Sequence, residues 1–276
     1  DDRRQQGRSR PGAEGSMRIA TFNINGIKAR IETLLHWLDT ARPDVALLQE
    51  IKSTDESFPR EPVEDRGYSV ACHGQKSFNG VAILSRLPVE DVVRGLGGDG
   101  GDEQARWIEG TVIGERRAVR VCGLYLPNGN PAPGPKYDYK LAWMERLRSR
   151  AADLRDTEEP VVMAGDFNVI PQTEDAARPE AWTEDALYLL PTREAFRRVL
   201  NLGYTEAFRA RVQGPGHYSF WDYQAGAWSR NDGIRIDHHL LSPQAADLLK
   251  DCWIEKDLRD GDKPSDHVPV WIELDA

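Results

Sequence analysis

The residues of this chain that could do chemistry sit where apolar runs stop. FNIN ends on Asn23 and Asn25, LLQE on Glu50, GDFN on Asp166 and Asn168, and RID on Asp237, while SDHVPV opens with Asp266 and His267. Short apolar runs of this kind read as strands, and strand ends are rigid platforms from which distant polar side chains can converge on one cleft. A single carboxylate at a strand end is ordinarily a solvated cap. Five such clusters in one chain point to a site.

The residue types suit phosphodiester hydrolysis assisted by a hard cation. Mg²⁺ prefers oxygen ligands, keeps several of its waters and is commonly held by one or two carboxylates. Glu50 could supply that carboxylate and Asn25 a neutral oxygen. Asp166 could orient or deprotonate the attacking water, with Asn168 fixing the geometry of the water or the phosphate. Asp237 and His267 would form a carboxylate–imidazole pair that orients the ring and favours its cationic form beside a phosphate. Zinc fits less well, because the chain has no His-x-x-x-His pair and no cysteine cluster. The adjacent His238 and His239 would face opposite sides of a strand, which suits a structural role better than a chelate.

These residues need elements to hold them. Residues 18–23 alternate and read as a first strand, and residues 27–38 place Ile27, Ile31, Leu34, Leu35 and Leu38 on a helical face. Residues 45–50 form a nearly continuous apolar run, the mark of a strand buried on both faces. Further strands are expected at 68–72, at 81–85 after the Asn79-Gly80 turn, and at 107–113 and 119–126. A long helix at 139–154 precedes a buried strand at 161–168. A helix at 193–200, a strand at 235–241 and closing strands at 253–254 and 268–274 complete the pattern, with a flexible glycine-rich loop at 95–102. Many strands lack the helix that a strict βαβ series would need. The expected class is therefore α/β (α+β): a four-layer sandwich of two packed mixed β-sheets flanked by helices.

Bulk properties narrow the class. The formal net charge of -9 argues against a protein that coats nucleic acid by electrostatics alone, and favours local phosphate capture around a bound cation. No apolar run approaches the roughly 18 residues that a membrane span requires. Cys72, Cys122 and Cys252 are widely separated and odd in number, which favours a reducing compartment over a disulfide framework. Residues 1–16 are polar and rich in Arg and Gly, so they read as a disordered extension ahead of a single catalytic domain at 17–276, with Met17 as an alternative start.

The motifs FNINGIKAR, LLQEIK, HGQK–NGVAILS, YLPNG, AGDFNV, YSFWDY, RIDHHLLS and KPSDHVPV occur in that order between residues 17 and 274. In this the chain resembles the exonuclease III branch of abasic-site endonucleases, within the exonuclease/endonuclease/phosphatase superfamily. The resemblance implies that Glu50 is the principal metal carboxylate, with Asn25 and Asp266 beside it and Lys52 close by. It implies phosphate contacts by Asn23 and Asn128, water activation by Asp166 with Asn168, and an oriented Asp237–His267 pair. Tyr125 falls where relatives acting on other phosphodiesters and phosphomonoesters tend to carry histidine, and its hydroxyl would bond the phosphate.

Phe220, Trp221, Ile234 and Ile236 match the family's positions for a pocket that takes an extrahelical abasic sugar, with Ile234 standing where tryptophan is frequent. Gln75, Lys76 and Phe78, and Lys136 and Lys140, are expected to meet the DNA backbone. The activity so implied is hydrolysis 5′ to abasic sites in double-stranded DNA, with 3′→5′ exonuclease and 3′-phosphatase or phosphodiesterase action at 3′ ends. Mg²⁺ is the expected cofactor, Mn²⁺ its alternative. A monomer in a bacterial-type cytoplasm, on the nucleoid when acting and with no membrane partner, completes the expectation. The competing readings are an inositol-phosphate phosphatase, a nuclease without damage preference, and a catalytically silent binding relative.

Overall fold

The computed structural model describes residues 13–98 and 100–276, so the expected disorder of residues 1–12 lies outside the described residues. Residues 13–16 form a turn in which the Gly15 N–H donates to the Glu115 carboxylate at 2.9 Å.

Along the chain the elements run β1 (Met17–Asn23), α1 (Ile31–Thr40), β2 (Val45–Gln49), α2 (Arg60–Glu64), β3 (Ser69–His73), β4 (Val81–Ser85), β5 (Val89–Arg94), β6 (Trp107–Ile113) and β7 (Ala118–Tyr125). They continue with α3 (Pro135–Arg155), β8 (Val161–Asp166), α4 (Leu190–Leu200), β9 (Thr205–Glu206), α5 (Ala207–Arg211), β10 (Asp237–Leu241), α6 (Pro243–Ala246), β11 (Leu249–Ile254) and β12 (Val270–Leu274). The strands form two six-stranded sheets, ordered β11-β12-β1-β2-β4-β3 and β5-β6-β7-β8-β10-β9. Each is mixed: β1 runs parallel to β2 and β7 parallel to β8, and the other neighbours are antiparallel.

Three apolar layers hold the sandwich together. Ile19, Leu47, Ile83, Val121, Val162 and Ile272 pack between the sheets. Phe22, Leu48 and Trp271 meet Leu34, Trp37 and Leu38 of α1 on one outer face. Cys122, Met163 and Leu240 meet Trp143, Met144, Leu147 and Phe196 of α3 and α4 on the other. β2 is buried along its whole length because its alternate residues enter different layers, which explains its unbroken apolar run. α3 opens with Pro135, whose fixed φ suits a first turn that has no partner for its N–H.

The four-layer arrangement is the one expected, and the differences are local. The first helix begins at Ile31, because residues 27–30 form a turn held by Arg30 N–H to Ile27 O. β5 was absent from the expectation. It is an edge strand rich in charge, with its register shifted between Glu90 and Val93 and Asp91 at φ 52°, so neither alternation nor an apolar run marks it. The three cysteines are buried free thiols. Among the described residues no helix is long and apolar enough to cross a membrane.

Candidate active site

Strand period and register bring the polar strand ends together. Tyr125 of β7 pairs with Asp166 of β8, and Asp166 with Asp237 of β10, so the three stand in one row across adjacent strands. Paired residues share a face. Counting by twos, Asp166 lies on the face of Val162 and Ala164, and Asp237 on that of Leu241, which is the face toward the other sheet. Asn23 follows Ile19 by the same count on β1 and points back from the opposite sheet. The core between the sheets thus turns polar at one mouth, where Asn23 Nδ2 donates to Asp166 Oδ2 at 3.0 Å.

Sharp reversals follow these strands. Asn25, Glu50, Lys52 and Asn168 all have left-handed φ, between 46° and 51°. Asparagine tolerates that region, but for Glu50 and Lys52 it costs about 1–2 kcal/mol each. Their surroundings enforce it: Gly26 N–H donates to Glu50 O at 2.8 Å, and Lys52 N–H to Asn79 O at 3.0 Å. The result releases Glu50 from strand alternation, and its Oε1 accepts from the Tyr125 hydroxyl at 2.6 Å.

The most buried part of the site is a proton-sharing trio. Atoms of Asp166, Asp237 and His267 lie within 4.8 Å of one another. His267 Nδ1 is 2.8 Å from Asp237 Oδ2, and its Nε2 is 3.5 Å from Asp166 Oδ2. Asp166 Oδ1 also accepts from the Asn168 N–H at 3.0 Å. Burial pushes the Asp166 carboxyl up to about 7, with His267 opposing the shift and Asp237 and Glu50 adding to it. For His267 burial works against the charge, yet Asp237 and Asp166 carry its pKa well above the usual histidine value. Tyr125 is likewise held protonated, first by burial and then by Glu50 and Asp166. Asp237 Oδ1 is buried without a hydrogen-bond partner among the described residues.

The rim is organised around Asn25. Its Nδ2 reaches Asp266 Oδ1 at 3.3 Å, its Oδ1 accepts from Lys52 Nζ at 2.8 Å, and its backbone carbonyl accepts from Arg30. Residue types alone gave no signal for several supports. Ser265 Oγ donates to Asn23 O at 2.6 Å and accepts from the His267 N–H, while Ser219 Oγ accepts from the Asp237 N–H. Arg106 stacks 4.9 Å over the Tyr125 ring and donates to the Tyr125 carbonyl. Tyr223, half exposed, bonds Asn25 and Arg30. Only the neighbourhood of Ser265 to the Asp266-His267 pair could have flagged one of them.

Beside the trio lies a groove of about 360 Å³ lined by Phe220, Ile234, Trp182, Asp185 and Gln224 among others. The Phe220 ring meets the His267 ring edge-on at 5.1 Å, so the groove adjoins the proton trio directly. Ile234 and Ile236 belong to the small apolar cluster behind it. Trp221 does not line this groove, which corrects the expectation. The extended backbone sends Phe220 and Trp221 to opposite sides, and the Trp221 indole is fully buried against Trp228, with Nε1 on Asn231 at 3.0 Å. Asn128 is exposed in the loop after β7 and bonds the side chain of Asn130 rather than the trio. Lys140 is wholly buried and cannot meet the DNA backbone, a second correction. His238 and His239 do face opposite layers. His238 packs on Phe167 and Phe196, whereas His239 is enclosed in the core and brought down to about 3 mainly by burial.

The chain is similar to several known proteins. Residues 20–267 match the model of the Endonuclease/Exonuclease/phosphatase family. The chain is 34% identical to exodeoxyribonuclease III of Haemophilus influenzae over 266 residues, covering 94% of this chain and all of that protein. The 3′-5′ exonuclease NExo of Neisseria meningitidis superposes with a TM-score of 0.89 at 36% identity, covering 94% of this chain and all of that one. An AP endonuclease of Archaeoglobus fulgidus gives 0.87 at 34% identity, again with 94% of this chain and all of that one.

Proposed function

The chain belongs to the endonuclease/exonuclease/phosphatase family, and from that membership we propose that it is a DNA repair nuclease of the exonuclease III type. It hydrolyses the phosphodiester bond 5′ to abasic sites in duplex DNA, with 3′→5′ exonuclease and 3′-phosphatase or phosphodiesterase activity at strand ends. The observation that carries this reading is the row Tyr125–Asp166–Asp237 facing His267, with Glu50 tied to it through the Tyr125 hydroxyl.

The oxygen donors at the rim fit a hard divalent cation. Glu50 and Asp266 offer carboxylates and Asn25 an amide, while the three thiols are buried. Glu50 and Asp266, with Asn25 beside them, would hold Mg²⁺, and Mn²⁺ would fit the same oxygens. When bound, the cation supplies Lewis-acid neutralisation of the phosphate and of the departing 3′ oxygen. The buried carboxylates and imidazole of Asp166, Asp237 and His267, whose ligand atoms lie within 4.8 Å of one another, offer a second set of donors next to these.

The chain's own groups then divide the proton work. Asp166, poised near 7, takes a proton from the attacking water as that oxygen bonds to phosphorus and the bond to the 3′ oxygen breaks. Asn23 and the Asn168 N–H hold its two oxygens in place. His267, oriented by Asp237, offers an imidazolium to the phosphate. Tyr125 stays protonated, and its hydroxyl donates to Glu50 and holds that carboxylate toward the site. Lys52, bonded to Asn25 at the rim, and Asn128, exposed in the loop after β7, would be the phosphate contacts. Phe220 and Ile234, backed by Ile236, give an otherwise charged groove one apolar wall, against which a sugar without a base is admitted more cheaply than an intact nucleotide.

The test is incision of a duplex carrying one tetrahydrofuran abasic analogue, beside the intact duplex, with Mg²⁺ and with chelator. Cutting at the analogue, dependent on metal, is expected. Equal cutting of the intact duplex would refute the preference for damage, and no cutting with any divalent metal would refute hydrolysis.

A further inference from the structure

Among the buried cations that the division of labour above leaves unused, Lys140 lies nearest the loops of the site. Lys140, on α3, has none of its surface exposed. Its ammonium donates to the backbone carbonyl of Asn168 at 2.6 Å and to that of Asn128 at 3.0 Å. Those carbonyls lie in the two loops that leave β8 and β7. The first loop carries the N–H that holds Asp166, and the second carries a proposed phosphate contact. Burying an ammonium is costly unless its donors are used, and packing of α3 on its sheet is already supplied by Trp143, Met144 and Leu147.

The loop after β7 is built to accept the lysine stem. Gly129 has φ 89°, and a Cβ there would lie 2.6 Å from Lys140 Cδ, so this position takes glycine on both counts. The same two loops are joined a second time, by Asn168 Nδ2 donating to Leu126 O at 2.8 Å.

We infer that Lys140 is a positioning residue for phosphodiester hydrolysis, its ammonium clamping the Asn128 and Asn168 loops so that Asp166 stays aimed at the attacking water. The inference rests on the function proposed above. Burial brings Lys140 down to about 7, with Asp166 and Asp185 opposing that shift and Arg106 adding to it, so the clamp rests on its two short hydrogen bonds rather than on charge.

Single-turnover incision of the abasic duplex in Mg²⁺ tests it, comparing the wild type with Lys140→Met and Lys140→Arg. Lys140→Met keeps the stem and removes the donors. It should cut at least about tenfold more slowly at saturating DNA, with DNA affinity within about threefold, and Lys140→Arg should recover part of the rate. A folded Lys140→Met that cuts within about threefold of wild type overturns the inference while leaving the nuclease reading intact. Wild type that does not cut overturns the nuclease reading itself. Should Lys140→Met not fold, the ¹⁵N signal of the Lys140 ammonium in the wild-type protein decides. It must shift when an uncleavable phosphorothioate abasic duplex binds, and a signal indifferent to DNA overturns the inference.

Discussion

Two buried groups of acids lie at either end of the short segment 234–237, and they treat charge in opposite ways. On one side Asp175 and Glu206 are matched by arginines. Asp175 Oδ1 accepts from Arg235 at 2.8 Å and Arg209 at 2.6 Å, and Glu206 Oε1 accepts from Arg235 at 2.9 Å. Glu206 also caps α5 through the N–H groups of Phe208 and Arg209. Burial works against its charge, but Arg235 and His238 hold it well below the usual carboxylate range. On the other side Asp166 and Asp237 face a single imidazole, and Asp166 is otherwise bonded by neutral amides. Its carboxyl is pushed up to about 7.

The contrast separates structure from chemistry. Guanidinium groups cannot give up a proton at any ordinary pH, so acids saturated by them are locked in the ionised form. The Arg235 cluster is a fixed brace, and it pins the chain between Ile234 and Ile236 at the groove. Acids that outnumber their cations must share protons, and a shared proton near neutral pH is what a general base requires.

The largest effect should come from unbalancing the brace. Glu206→Gln is expected to lose about 3 kcal/mol of stability in urea at pH 7, because it strips a buried arginine of one counter-charge. The sign with pH follows from a folded pKa below the ordinary 4.5: the contribution is full above that value and fades as pH falls beneath it, so variant and wild type should converge in acid. Equal stability at pH 7 would mean that the brace is not one. Next, His267→Asn removes the cation of the reactive trio, and single-turnover incision should slow by about 10²-fold or more. A loss confined to DNA affinity would move His267 from chemistry to binding. Smallest is Phe220→Leu, which trims the groove. The ratio of abasic to intact cutting should fall by about threefold to tenfold, and an unchanged ratio would place damage recognition elsewhere.

Much of this was legible in the sequence, for a physical reason. Asn23, Asp166 and Asp237 continue strands whose apolar residues fix the period, so the face they occupy follows once the strands are found. The less legible features break that period or depend on distant partners. Glu50 and Lys52 leave their strand through left-handed turns with no glycine to announce them. Lys140 sits in a helix where a lysine ordinarily points to solvent, and only the arrival of two loops from elsewhere explains its burial. Trp221 is assigned to the pocket by the family resemblance, whereas strand alternation beside Phe220 puts it in the core. Asp175, Glu206 and Arg235 come from separate segments and carry no spacing that links them.

Asp166, a buried carboxylate offset only by an imidazole it shares with Asp237, is the group whose removal bears most on the proton transfer, and Asp166→Asn removes it. Its single-turnover rate on the abasic duplex in Mg²⁺ should be compared with its affinity for the same DNA. The variant's rate should be at least about 10²-fold lower, with affinity within about threefold of wild type. A rate loss under about tenfold, or a loss carried by affinity, would contradict it.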